Sequence, residues 1–345
     1  MRISSLEINQ GSEGQIFEFL EFESRLEILP LTFSRATELI DLISIALGTY
    51  LKGIDSVSNE APKFNTYCKP TKLAATGTFE GEHISWEVGT DSKLNTSYKD
   101  AKSLTKKAST MLSQSRAGGD VIFPMLGRYG CDMDQTDTEI PYMKSEEGII
   151  HGYKNAFNPP DKTGTDALSW FKTMSDEIRK FDQDSDKALM KAFKEALISV
   201  IGGSDFQEPS IVPFVKDIYY DFKKGDMVIL LSLLFDDEGE KNYYSTVSKY
   251  AKNIVGLTAD IAYRCIKLNP HLGQDAVTKT PGIVLIDDIN SYLFSKEDAD
   301  FAKRELNILM KTFPQIQFIT SFYGDHNILT SLWTHYEFPS SVNTK

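Results

Sequence analysis

Three cysteines in 345 residues, Cys68, Cys131 and Cys265, are too few and too scattered for a disulfide framework or a cysteine-ligated zinc site. Their scarcity fits a reducing setting, and a cytoplasmic location is expected. The first residues, Met1-Arg2-Ile3-Ser4-Ser5, lack the apolar core of a secretory signal. Long apolar runs are missing too. The longest, Met227 to Phe235, has nine residues with Ser232 inside it, too short to cross a bilayer, so no membrane contact is expected. Positive charge is in deficit, with 37 Lys and Arg against 49 Asp and Glu and a net charge of -12. Broad binding to nucleic acid needs basic surface, so contact with it is expected only indirectly or through a partner. No internal repeat or low-complexity stretch is visible. What is present is core material. Hydrophobic residues make up 41% and aromatics 11%, enough for a substantial interior and too much for a disordered chain.

The chain is organised around residues Pro281 to His326. Pro281-Gly282 turns into the unbroken apolar run Ile283-Val284-Leu285-Ile286, which is followed by two carboxylates, Asp287-Asp288. A short all-apolar run reads as a strand covered on both faces, as in a parallel sheet. Acids just after such a strand lie at its carboxyl end, where open α/β sheets place their ligands. Ser295 and Asp298 read as a capping box. Ala302, Leu306, Leu309, Met310 and Phe313 then recur at helical spacing, Pro314 stops the helix, and Ile316 to Ile319 begins a second strand. This is a β-α-β unit with an acidic pair at one edge.

Upstream, residues 1 to 30 read as strands, and a helix is expected from about Thr37 to Lys52. Residues 76 to 90 read as extended with a turn at Gly81-Glu82, and Ser97 to Ser115 as a polar helix carrying Lys102, Lys106 and Lys107. The buried run Val121 to Leu126 leads into a glycine-marked loop, Gly127-Arg128-Tyr129-Gly130-Cys131-Asp132-Met133-Asp134. Two helices are marked by Leu168 to Phe181 and by Leu189 to Val200, the second stopped at Gly202-Gly203. A hairpin turns at Lys223-Lys224-Gly225-Asp226, and Tyr243 to Asn269 is mostly helical. Trp86, Trp170 and Trp333 read as core or interface anchors, and Tyr243, Tyr244 and Tyr250 as half-buried or contact residues.

His271-Leu272-Gly273-Gln274-Asp275-Ala276, Thr280 to Ile289 and Phe313 to Ile319 together resemble the ABC-type ATPase head of AAA-family ATPases from bacterial anti-phage systems. Related heads accompany HNH nucleases, and RecF and SMC heads are more distant. Gly152 to Phe157 before Trp170-Phe171, Ala259 to Arg264 before Leu268-Asn269-Pro270, and Ile45-Ala46-Leu47-Gly48 fit the same pattern. The resemblance implies an α/β fold: a mixed or parallel sheet core with flanking helices and a helical subdomain. It implies an N-terminal lobe over 1–135, the helical subdomain over 136–205, and a C-terminal lobe over 206–345 with the Walker-B-like strand.

In such heads ATP sits between a P-loop with a strand-end acid pair on one head and a signature helix on the other. The P-loop positions fall on Pro30-Leu31-Thr32-Phe33-Ser34-Arg35-Ala36-Thr37, and only Thr37 matches. Phosphate cradling needs converging backbone N–H groups and glycine freedom, whereas Pro30 has no N–H and Ala36 replaces the lysine. Arg35 is the only cation there, and arginine is not an equivalent point charge. In the signature, Ser248 remains but Tyr250 stands where glycine is expected. Asp288 replaces a glutamate, Tyr323 aligns with a histidine that His326 follows, and Asn290 replaces an acid.

With these elements altered, the expectation is a non-catalytic head that acts as a structural or regulatory binding subunit, possessing neither cofactor nor metal. It pairs with itself, an active ATPase or a nuclease, as a homo- or hetero-oligomer. The alternative is a divergent Mg-dependent ATPase. It would use Asp287, Asp288 and His326 in catalysis, Arg35, Thr37 and Ser248 on ATP, and Thr37 with Asp287 on Mg²⁺. A third reading, a nuclease with Asp132, Asp134, Asp287 and Asp288 as ligands, rests on a spacing that is common by chance.

Overall fold

The computed structural model describes residues 1–10, 13–18, 26–29, 33–63, 72–90, 95–98, 100–130, 140–143, 148–157, 164–202, 214–232, 239–289 and 299–321. Three sheets are present among them. An antiparallel sheet runs in the order β2-β1-β4-β5-β6. Its strands are β1 (Arg2–Gln10), β2 (Glu13–Glu18), β4 (Lys72–Phe79), β5 (Glu82–Thr90) and β6 (Thr96–Ser97). The β4–β5 turn is Glu80-Gly81, both at positive φ, the geometry that suits the twist of a tight hairpin.

The second sheet is parallel throughout and runs β3-β12-β11-β7. It comprises β3 (Leu26–Leu29), β12 (Ile316–Ser321), β11 (Gly282–Ile286) and β7 (Met125–Tyr129). β11 and β12 are buried at every position, β11 as an unbroken apolar run and β12 with Gln317 among its apolar and small residues. Gly282 opens β11 where a Cβ would lie 2.2 Å from the Met125 carbonyl oxygen, so only glycine permits that approach. A third, antiparallel sheet contains β8 (Phe214–Asp221), β9 (Asp226–Ser232) and β10 (Glu240–Tyr243), in the order β10-β9-β8.

Helix α1 (Phe33–Lys52) lies between the first two sheets. From Leu39 to Leu51 it is buried at every position except Asp41, so it is a core helix rather than an amphipathic surface one. The Trp86 indole donates to the Ala46 carbonyl at 2.9 Å and ties β5 to it. Gln317 joins the two sheets directly. Its amide accepts from Ile3 N–H at 3.0 Å and donates to Ile3 C=O at 3.1 Å, at the place where the β1 register shifts. A bulge that frees two backbone groups is thus satisfied by a side chain of the other sheet.

α2 (Lys102–Arg116) covers α1 and β5. α3 (Thr165–Phe181), α4 (Asp184–Gly202) and α5 (Lys249–Leu268) pack together. Trp170 meets Phe193 at 5.1 Å and Tyr263 at 5.9 Å between ring centres, which ties the three helices through one aromatic cluster. The short α6 (Ala276–Lys279) leads to β11, and α7 (Ala299–Thr312) connects β11 to β12. The β-α-β reading of this stretch is correct, since β11 and β12 pair in parallel.

Four expectations need correction. Helix α1 starts at Phe33, not Thr37. Phe33-Ser34-Arg35-Ala36 contains no glycine or proline, so nothing in it opposes an earlier start. The polar helix starts at Lys102 rather than Ser97, because Thr96 and Ser97 pair with β5 as β6. Gly127-Arg128-Tyr129 is strand, not loop, because parallel pairing with β11 from Met125↔Gly282 to Tyr129↔Ile286 overrides the glycine cue. Val121 and Ile122, read as buried, precede the strand, and Ile122 is exposed.

Candidate functional site

The carboxyl ends of β7, β11 and β12 meet at Asp287. Its N–H donates to the Tyr129 carbonyl at 2.8 Å, extending the β7–β11 ladder by one residue. Its carboxylate is then gathered from three sides. Thr37 Oγ1 donates to Oδ1 at 3.2 Å, Ser321 Oγ donates to the same oxygen at 2.7 Å, and Arg128 Nη2 lies 3.8 Å from Oδ2. Asp287 is only 9% exposed, so these partners compensate a charge removed from water.

Asp288 follows with φ of 50°, one of four non-glycine residues in the left-handed region among those described. That conformation is tolerable for aspartate and uncommon for other side chains. Its N–H donates to Ser321 Oγ at 2.8 Å, so Ser321 receives from one acid of the pair and donates to the other. The chain turns sharply at the end of β11, and the hydroxyl of β12 holds the turn.

Arg128 makes its closer contact with Asp41, with Nη1 at 2.5 Å from Oδ1. Burial raises the Asp41 carboxyl pKa. The Arg128 guanidinium pulls against that rise, and the nearby charges of Asp287 and Glu38 add to it. Thr37 and Asp41 are one helical turn apart on α1 and so project to the same side, toward β7 and β11.

Beneath this edge lies a second buried cluster. The Tyr129 hydroxyl donates to Asp260 Oδ2 at 2.7 Å, and Arg264 Nε donates to the same oxygen at 2.6 Å. Arg264 Nη1 also donates to the carbonyls of Gly152 and Lys154, each at 2.9 Å. Burial works most strongly to lower the Arg264 pKa, but the Asp260 charge and hydrogen bond together with Tyr129 and Tyr263 outweigh it, and the net shift is upward. The stretches 152–157 and 259–264, singled out by resemblance, thus meet physically through one guanidinium.

The structure brings Thr37, Asp287 and Asp288 to one place and adds Asp41, Arg128 and Ser321. Ser248 is the N-cap of α5, its Oγ accepting from Ala251 N–H at 3.2 Å. Arg35 lies on α1, but its side chain is outside the described residues, as is that of Tyr250. His326, Asn290, Tyr323, Trp333, Asp132, Asp134 and the proposed Ser295–Asp298 capping box are also outside them. Three members of the site escaped sequence reading, and each left a signal. Asp41 is four residues after Thr37. Ser321 follows Thr320, the register partner of Ile286, so it stands opposite Asp287. Arg128 was hidden by the glycines beside it.

A divalent cation does not fit this donor set as it stands. Thr37 and Asp287 are adjacent oxygens of the right kind. Yet the Arg128 guanidinium already flanks Oδ2 at 3.8 Å, so a dication on Asp287 meets a resident positive charge.

No family model matches the chain. It is 25% identical over 278 residues to a retron Vc95 probable ATPase of Vibrio cholerae serotype O1 biovar El Tor, covering 66% of this chain and 51% of that protein. The chain therefore spans about half the length of this curated relative. Among solved structures it is similar to an SMC head bound to the C-terminal winged-helix domain of ScpA, with a TM-score of 0.45 and 13% identity over 96% of this chain and 92% of that one. In sequence the chain is thus similar to a probable ATPase, and its fold is α/β. No helix among the described residues is long and apolar enough to cross a membrane.

Proposed function

We propose that this chain is an ATPase-like head that works by binding a protein partner and does not turn over ATP. The early start of α1 carries this reading. Of the eight positions from Pro30 to Thr37, the last five are already helix, and none of the eight is glycine or lysine. A cradle that wraps a triphosphate needs loop backbone with N–H groups turned inward and a lysine at its end. Asp288 in place of glutamate sets any base back by a methylene, a displacement that costs on the order of a hundredfold in rate.

On this reading the surface that closes over ATP in active heads serves as a protein interface. The partner is a second copy, an active ATPase or a nuclease. The similarity to a retron protein supports a setting in bacterial anti-phage defence. The division into lobes 1–135 and 206–345 around a helical subdomain 136–205 belongs to the same proposal.

One observation favours a second reading. Thr37 and Asp287, the two residues that would share Mg²⁺ in a divergent ATPase, stand within hydrogen-bonding distance. On that reading Arg35, Thr37 and Ser248 meet nucleotide, and Asp287, Asp288 and His326 act on it, with a nuclease as partner. Phosphate release with ATP and Mg²⁺ separates the two. The binding reading expects equal, background release from wild type, Asp287→Asn and Asp288→Ala. Release that both substitutions abolish establishes the second reading.

A further inference from the structure

We propose that Arg128 is the resident cation of this site and holds the place that a divalent metal ion takes in nucleotide-hydrolysing heads. The proposal rests on the non-hydrolysing reading and adds the device that keeps the acidic site stable without metal.

Arg128 is placed by sheet register. It pairs with Leu285 across the parallel β7–β11 ladder, so its backbone is fixed beside the strand that ends in Asp287. Its guanidinium spans two carboxylates, Nη1 on Asp41 Oδ1 at 2.5 Å and Nη2 at 3.8 Å from Asp287 Oδ2. The other oxygen of Asp287 is taken by the hydroxyls of Thr37 and Ser321. The surroundings are otherwise acidic, with Glu38 and Asp41 on α1, Asp287 and Asp288 after β11, and Asp41 sensing the charges of both Glu38 and Asp287. A site with this charge needs a cation, and a guanidinium supplies one that cannot deprotonate and that presents several donors in a plane.

The same geometry keeps a metal out. Mg²⁺ binds carboxylate oxygen at about 2.1 Å. An ion on Asp287 Oδ2 would therefore lie no farther than about 6 Å from Arg128 Nη2. A dication at that separation is repelled by the guanidinium, and Arg128 has Asp41 to hold it in place. Metal entry is opposed for as long as Arg128 stays in place.

The test is titration of the full chain with Mn²⁺, read by the loss of the free-ion paramagnetic resonance signal. Wild type, Arg128→Gln and the double variant Arg128→Gln/Asp287→Asn are compared. The expected result is no stoichiometric binding by wild type, one site gained in Arg128→Gln with affinity at least about tenfold tighter, and loss of that site in the double variant. Arg128→Met replaces the glutamine variant if the latter does not fold. Stoichiometric Mn²⁺ binding by wild type that Asp287→Asn removes overturns the proposal, and does so whether or not any Arg128 variant folds. If neither wild type nor the Arg128 variants bind, Arg128 is not what excludes the metal. The proposal then fails while the binding reading stands. ATP turnover by wild type defeats the binding reading itself.

Discussion

Replacing Arg264 with methionine is expected to destabilise the fold by about 3–5 kcal/mol, the range for leaving one member of a buried ion pair without its partner. Arg264 is 7% exposed and Asp260 5%. The substitution removes the bond to Asp260 at 2.6 Å and frees the carbonyls of Gly152 and Lys154, while leaving Asp260 with the Tyr129 hydroxyl. Unfolding entropy near 2.1 cal/mol/K per residue gives roughly 0.7 kcal/mol/K for a chain of this length, so Tm should fall by about 4–7 °C. Differential scanning calorimetry at neutral pH measures it. A second arm checks the cause. The double variant Asp260→Leu/Arg264→Met removes both charges and should be less destabilised than the single variant. An Arg264→Met protein within about 1 kcal/mol of wild type would refute the claim that this guanidinium clamps α5 to residues 152–154.

Asn269 is fully buried, accepting from Phe123 N–H at 2.7 Å and donating to Phe123 C=O and Thr280 Oγ1, each at 2.9 Å. Asn269→Leu orphans two buried backbone groups and should cost about 3 kcal/mol in denaturant unfolding. Burial pushes the Cys265 thiol pKa far above its usual range, so peptide mapping after alkylation should find Cys265 unmodified in the native protein and modified once unfolded. At the β8–β9 turn, the Lys224 and Lys223 N–H groups lower the Asp221 carboxyl pKa despite some opposing desolvation. A depressed acid stabilises the fold above its unfolded pKa and loses that contribution as pH falls through the folded value. Stability should therefore drop below about pH 4, and Asp221→Asn should flatten that acid limb in pH-dependent unfolding.

Elements with a strong period or an unbroken apolar run were legible in the amino-acid sequence. Ile283 to Ile286, the helix ending at Lys52 and the Lys223–Asp226 turn all form the elements their patterns imply. What escaped was set by pairing between distant strands. Gly127-Arg128-Tyr129 reads locally as a turn, and only the edge of β11 makes it a strand. The same limit applied to the site. Asp287 was legible from the strand-end pattern, and Thr37 came only from the P-loop positions that the resemblance assigned. Arg128 and Ser321 depend on register between strands far apart in the chain, which no local window contains. Gln317 is a further case: its position inside an apolar strand looks anomalous until the β1 bulge that it satisfies is placed against it.

Calorimetric titration of the purified chain with ATP, with and without Mg²⁺, tests the dismantled cradle most directly. The account predicts no saturable heat up to about 1 mM, the weak end of the range in which working enzymes hold their substrates. A micromolar dissociation constant that requires Mg²⁺ and disappears in Asp287→Asn would contradict it.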